Sequence, residues 1–285
     1  MAEPATQTPG LRALLLAPAA ATLLLLFVSP LIYFFIVSFF RVSLFNLVPT
    51  FSAVNYLKVL SDYSDSIAFT LGIGIVIAGL TVTLAFIIAH LIRFRGGRWG
   101  AFVLACTMLT LFGGYLVKIY AWKTILGREG IINNGLMAIG AIQQPLDVLL
   151  YSPVAVVLTL VNYLLPFAVL PIYGALRSVD ITTIEAARAV GASPYRVLHD
   201  VVLPRCIPAL VTAFALCFLL TAGDYVTPRL VGGARSVMIG TFIEGQFGIR
   251  MNLPLGAAMT FSILVAAALV IAAFWFGLRW RLRPR

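Results

Sequence analysis

What most limits the fold of this chain is where its charges are missing. Arg12 to Arg41 encloses 28 residues without Asp, Glu, Lys or Arg, Asp65 to Arg93 encloses 27, and Arg98 to Lys118 encloses 19. Further along, Asp147 to Arg177 encloses 29, Arg205 to Asp224 encloses 18 and Arg250 to Arg279 encloses 28. A helix crosses the hydrocarbon core with about 20 residues, and a charge at its centre costs about 2.5–3.5 kcal/mol on insertion scales. Six runs meet that length, so the expected fold is an all-α polytopic membrane protein with six transmembrane helices.

Composition closes off the alternatives. The 285 residues are 61% hydrophobic and 11% charged, against about 45–50% and about 25% in soluble domains. Too few charges remain to coat a soluble globule, and disordered chains are poor in apolar residues. Three cysteines in 285 residues make no disulfide scaffold. Cys106 and Cys217 fall within spans and Cys206 at an edge, where each reads as a small apolar residue. The uncharged stretch from Gly130 to Leu146 holds Asn133, Asn134, Gln143, Gln144 and Pro145, and reads as an interfacial or re-entrant segment. The first run continues past the 7–15 residues or so of a signal-peptide core, so it is expected to remain as an uncleaved helix.

The net charge of +10 is mostly a topology signal. Arg93, Arg95 and Arg98 follow the second run, Arg177, Arg188, Arg196 and Arg205 separate the fourth from the fifth, and Arg279, Arg281, Arg283 and Arg285 end the chain. With Arg12 they place twelve of the 20 bases on one side, which the positive-inside rule makes cytoplasmic. Both termini are therefore expected in the cytoplasm, and nucleic acid is not an expected partner. The organisation expected is a peripheral helix and first outer loop over 1–65, then one membrane domain over 66–280.

One inner loop, 177–208, is too long for a connector. Thr182 with Glu185 three positions on has the form of a capping box that opens a short helix through Ala186, Ala187 and Ala189. Gly191 suits the left-handed position that closes it, and Ser193-Pro194 suits the start of another. Leu203-Pro204 is expected to stop that second helix and pass the chain to the fifth span. Alanine pairs permit close approach, and Glu185 and Arg188 offer charged contacts at the rim, so the loop reads as an element that docks on a partner.

These residues carry a resemblance. Glu185-Ala186-Ala187, then Gly191, then Val201 and Leu203-Pro204 resemble the EAA loop of binding-protein-dependent ABC importers, with Val201 where isoleucine is usual. Segments around Leu116–Trp122, Leu126–Asn134, Leu164–Tyr173, Gly223–Gly233, Met238–Gly240 and Asn252–Ala257 resemble spermidine/putrescine-type permeases, a group that extends to carriers of opines, 4-aminobutyrate and aminophosphonates. The resemblance implies a MetI-like type I permease fold. It implies that Glu185, Ala186, Ala187, Gly191, Leu203 and Pro204 form the coupling helix that sits on an ATPase. It also implies a bacterial inner-membrane assembly with a second permease subunit, a paralogue, two ATP-binding subunits and a periplasmic solute-binding protein. ATP and Mg would be held by the ATPase, since this chain has no Gly-x-x-x-x-Gly-Lys-Ser/Thr loop, is not itself catalytic and has no expected cofactor.

Candidate residues for a solute path are Asp224, Tyr225, Tyr120, Trp122, Asn162 and Tyr163. Asp224 and Tyr225 close the fifth span, where a carboxylate and a ring face suit an ammonium group; a helix cap or an ion pair with Arg229 is the structural alternative. Tyr120 and Trp122 also suit an interfacial aromatic belt, and Asn162 and Tyr163 suit interhelical hydrogen bonding. Pro166 and Pro171 are expected to kink the fourth span, and Lys118 and Lys123 to snorkel. An ion-coupled carrier, an intramembrane hydrolase and a channel each lack their groups: no buried ionisable relay, no His-Glu-x-x-His or Gly-x-Ser-x-Gly, no filter.

Overall fold

The computed structural model describes residues 17–43, 46–234 and 236–281; Arg12, Arg283 and Arg285 lie outside them. Among the described residues the regular structure is helical apart from one two-stranded antiparallel pair, β1 (Arg41–Ser43) against β2 (Asn46–Val48). In order come α1 (Ala17–Val37), the strand pair, α2 (Val54–Asp62), α3 (Ser64–Phe94), α4 (Gly97–Phe112), α5 (Tyr115–Leu126) and α6 (Ile131–Ala138). Then follow α7 (Pro153–Ser178), α8 (Ile181–Ala189), α9 (Pro194–Ala222), α10 (Ile239–Gly248) and α11 (Leu253–Arg281).

Five of these helices, α1, α3, α7, α9 and α11, are long and apolar enough to cross a membrane. The third charge-free run is not a straight helix. It breaks at Gly113-Gly114, whose ψ angles of 119° and 141° are extended, and the helices on either side meet at 100°. Two successive glycines disfavour a helix more than any ordinary pair, so the break falls there, and the pair is either one broken span or a re-entrant hairpin. The spans number six if the pair is one. Pro166 and Pro171 leave α7 continuous.

The chain divides into two compact units. One comprises 1–62 with 245–262, the other 63–244 with 263–285. In the first, Asn55 donates from Nδ2 to the carbonyls of Ser38 and Phe40 at 2.8 Å each, and the Ser38 and Tyr56 hydroxyls are 2.8 Å apart. These bonds hold α2 to the end of α1. The Phe35 and Phe261 rings meet edge to face at 5.1 Å.

The second unit is built on α3, α7 and α9. Buried positions on α3 are Thr70, Ile73, Gly74, Ile77, Ala78, Thr81, Val82, Ala85 and Ala89, a stripe of period three to four. Leu80, Leu84 and Leu91 face outward. Both faces are apolar, and what separates them is size. Lipid is as apolar as leucine, so helices associate where small residues let backbones approach. Gly74 shows this directly, since a Cβ there would sit 3.0 Å from Cε2 of the fully buried Phe218 on α9. One turn earlier on the same face of α9, Phe214 stacks on Phe274 of α11 at 3.9 Å.

Candidate functional site

The two ends of α9 carry the residues of interest. At 1.5 Å per residue its 29 residues separate those ends by about 40 Å, more than the roughly 30 Å hydrocarbon core.

At the N-terminal end lies the loop 177–208. The cap of α8 is Asp180, not Thr182. Asp180 has extended backbone, with ψ of 129°; its Oδ1 accepts from the Thr182 N–H at 3.0 Å and its Oδ2 from the Thr182 hydroxyl at 2.7 Å. Those two bonds hold the Asp180 carboxyl below its ordinary range. The Thr182 hydroxyl is thereby used as a donor inside the first turn, and the capping box with Glu185 does not form. The other end follows the expected chemistry. Gly191 has φ of +83°; its N–H donates to the Arg188 carbonyl at 2.9 Å, and the Ala192 N–H reaches back to the Ala187 carbonyl at 3.0 Å. This paired closure is the Schellman motif. Ser193 then accepts the Arg196 N–H at 3.4 Å and starts α9 with Pro194 in its first turn.

Leu203-Pro204 does not end that helix. α9 runs through it from Pro194 to Ala222, with a wide π-turn at Val197–Val202 immediately before the proline. Proline has no N–H and its ring presses on the carbonyl four residues back; a looser turn just upstream is a usual way for a helix to absorb this. Leu203 and Pro204 are half-buried, and Leu203 packs on the core. Ile184 and Ala187 turn inward, while Glu185, Ala186, Ala189 and Val190 are exposed, Val190 to 85%. Glu185 makes no ion pair or side-chain hydrogen bond among the described residues.

At the C-terminal end is a polar cluster. Asp224 is 8% exposed. Its Oδ1 accepts from the Val226 N–H at 2.9 Å and the Thr227 N–H at 3.3 Å, which is the cap expected as the structural alternative; Arg229 instead pairs with Glu244 at 3.6 Å. Asp224 Oδ2 is buried without a direct hydrogen-bond partner of good geometry among the described residues. Tyr115 lies close enough to Asp224 to interact with its carboxylate, and its hydroxyl is 2.7 Å from that of Thr227. The Tyr115 and Tyr163 rings are 4.7 Å apart. Lys118 Nζ sits 5.2 Å from the Tyr163 centroid, buried and with no hydrogen-bond acceptor, so it does not snorkel. Gly240 closes the far wall: a Cβ there would lie 2.8 Å from the Asp224 carbonyl.

Of the candidate path residues, Asp224 and Tyr163 are brought together. Tyr225, Tyr120 and Asn162 are exposed outside the cluster, and Trp122 packs on the core. Tyr115 and Thr227 were not among the candidates; a tyrosine in a charge-free run was the only hint of the first, and a threonine two places after a tyrosine of the second. The buried Asp224 carboxyl, with Tyr115 beside it, is the kind of group that suits an ammonium ion.

No protein-family model matches the sequence. The chain is 33% identical over 173 residues to the spermidine/putrescine transport system permease protein PotB of Haemophilus influenzae, a match covering 61% of this chain and 60% of that one. It is 29% identical over 245 residues to the inner membrane ABC transporter permease protein YdcU of Escherichia coli, covering 81% and 75%. The match to PotB thus spans less than two thirds of that relative's length. Among solved structures, a chain of the bacterial alginate ABC transporter in complex with an alginate pentasaccharide-bound periplasmic protein superposes with a TM-score of 0.73, at 16% identity, over 94% of this chain and 93% of that one. The fold is that of an ABC-importer permease, and the chain is a relative of such permeases in sequence as well.

Proposed function

We propose that this relative of ABC-transporter permeases is itself the membrane-spanning permease subunit of an ATP-driven importer, moving a small cationic solute of the putrescine/spermidine class from a periplasmic binding protein into the cytoplasm. The observation that carries the reading is α9: one continuous helix joins an exposed, firmly capped docking surface at its N-terminal end to the Asp224 cluster at the other. Glu185, Ala186 and Val190 present that surface, Gly191 and the inward Ala187 fix its angle, and Leu203 and Pro204 anchor it to the bundle.

The chain has no nucleotide-binding loop of its own, so energy arrives through a partner that contacts this surface differently in its ATP-bound and free states. Only such a difference can shift a permease between its two accessible forms. Two ATP-binding subunits, each on one coupling helix, require a second permease subunit, here a paralogue. The PotB name supports the polyamine class, and the buried Asp224 carboxyl beside Tyr115 supports a cationic cargo.

The Lys118 ammonium over the Tyr163 ring, with no acceptor among the described residues, favours a second reading within this importer class, a cargo that pairs an amine with an acid group, such as 4-aminobutyrate, an opine or an aminophosphonate. Uptake of labelled putrescine by cells with and without the chain, its natural partners present, tests both. Uptake that depends on the chain and is displaced by spermidine alone supports the polyamine. Displacement by 4-aminobutyrate or an opine supports the second reading.

A further inference from the structure

Where α3 ends and α8 passes it, a cleft of ≈ 370 Å³ opens, lined by His90, Phe94, Arg95, Arg188 and Tyr195 among others. Two guanidinium groups and an imidazole share it, and no acidic residue lines it. His90 Nδ1 is buried and has no hydrogen-bond partner among the described residues. The carboxylates in the adjoining segments are engaged elsewhere or point away: Asp200 with His199 at 2.7 Å, Asp180 with Thr182, and Glu185 on the exposed face of α8.

Arg95 has a second role. It also lines an adjacent groove of ≈ 340 Å³ between the end of α3 and the start of α4, with Leu91, Ile92, Trp99 and Val103. The groove has almost no polar surface, Arg95 included, so that residue contributes its aliphatic stem here. Its floor is set by Gly96 and Gly100: a Cβ at Gly96 would lie 2.6 Å from the Ile92 carbonyl and one at Gly100 2.9 Å from the same atom, so no side chain can fill the space. Trp99 is 61% exposed and lies under the Arg98 guanidinium at 5.6 Å, the pairing expected where a helix meets lipid headgroups.

A cationic cleft and an apolar groove that meet at one arginine match a ligand with an anionic head and a hydrocarbon tail. We propose that they form a binding site for an anionic phospholipid, its phosphate between Arg95 and Arg188 and an acyl chain along Trp99. Guanidinium groups suit phosphate by their forked donors, and basic pockets between helix ends are recurrent sites for such headgroups. Because Arg95 closes α3 and Arg188 lies in the last turn of α8, the bound lipid ties the loop helix to the bundle.

The full-length chain in phosphatidylcholine vesicles containing a minor fraction of phosphatidylglycerol tests this, with bromine placed on the acyl chains of one lipid or the other. The Trp99 contribution is the difference between the wild type and Trp99→Phe. At equal bromolipid content, brominated phosphatidylglycerol is expected to quench Trp99 severalfold more than brominated phosphatidylcholine. That excess is expected to persist in Arg95→Lys, to vanish in the Arg95→Gln/Arg188→Gln double variant, and to withstand millimolar inorganic phosphate. Equal quenching by the two lipids in the wild type would overturn the proposal without recourse to any variant in the cleft. An excess that survives removal of both arginines would also overturn it. Displacement by inorganic phosphate would assign the cleft to a soluble anion instead of a lipid.

Discussion

The hydroxyls of Tyr115 and Thr227 lie 2.7 Å apart across 112 positions of sequence, and Asp224, three residues before Thr227, caps the same turn with one oxygen while its carboxyl also faces Tyr115. The start of α5 is thereby tied to the turn that follows α9. In Asp224→Asn a side-chain oxygen remains to accept from Val226 and Thr227, so the turn is expected to persist while the charge is lost. The expected outcome is a raised KM for labelled putrescine with the ATPase still bound. Unchanged uptake would reduce Asp224 to a cap.

Tyr115→Phe removes only the hydroxyl. Loss of one hydrogen bond of this kind is expected to cost about 0.5–1.5 kcal/mol, seen as a lower thermal midpoint of the detergent-solubilised chain, and the tilted ring contact with Tyr163 should remain.

Gly191 is a test of backbone conformation alone. Its φ is +83°, and an added Cβ would meet nothing within 4 Å, so a side chain there fits the space but not the dihedral. Left-handed backbone costs an L-residue about 1–2 kcal/mol. Uptake should fall in the order Gly191→Asn, Gly191→Ala, Gly191→Val, and the last should abolish it while the protein stays at wild-type level in membranes by immunoblot.

Glu185→Lys separates docking from folding. The side chain is exposed and unpaired among the described residues, so its effect on stability should stay within about ±0.5 kcal/mol. Uptake is nevertheless expected to be lost, measured beside a thermal midpoint equal to that of the wild type. Full uptake would remove the docking role.

Phe218 is fully buried against Gly74. Phe218→Ala should cost about 3–5 kcal/mol if the cavity does not collapse, and Gly74→Leu should push α3 and α9 apart; both should lower the thermal midpoint more than Tyr115→Phe.

Much of this was legible in the sequence because charge and glycine act locally. Charge-free runs marked the spans, Gly191 marked the end of α8, and Ser193-Pro194 marked the start of α9. Thr182 misled because Asp180, two residues earlier, is the better acceptor and takes the hydroxyl as a donor. Leu203-Pro204 misled because a π-turn absorbs the proline. The third run broke at Gly113-Gly114, which apolarity alone conceals. Hydropathy also could not tell the buried face of α3 from its outer face; the small residues Gly74, Ala78, Ala85 and Ala89 were the usable sign. The pairing of Tyr115 with Thr227 depends on how α5 returns to the bundle, and no local pattern announces it.

The central claim is that the loop 177–208 couples this chain to an ATPase. The most direct measurement is disulfide or bismaleimide crosslinking from Ala186→Cys, in a background with Cys106, Cys206 and Cys217 replaced, to single cysteines introduced in turn across the permease-facing surface of the ATP-binding subunit, in native membranes. The account predicts an ATP-binding subunit joined in stoichiometric yield, with the yield changing when ATP is bound and lost in Gly191→Val. A chain that supports uptake, yet yields no such adduct from Ala186→Cys in any nucleotide state, would contradict it.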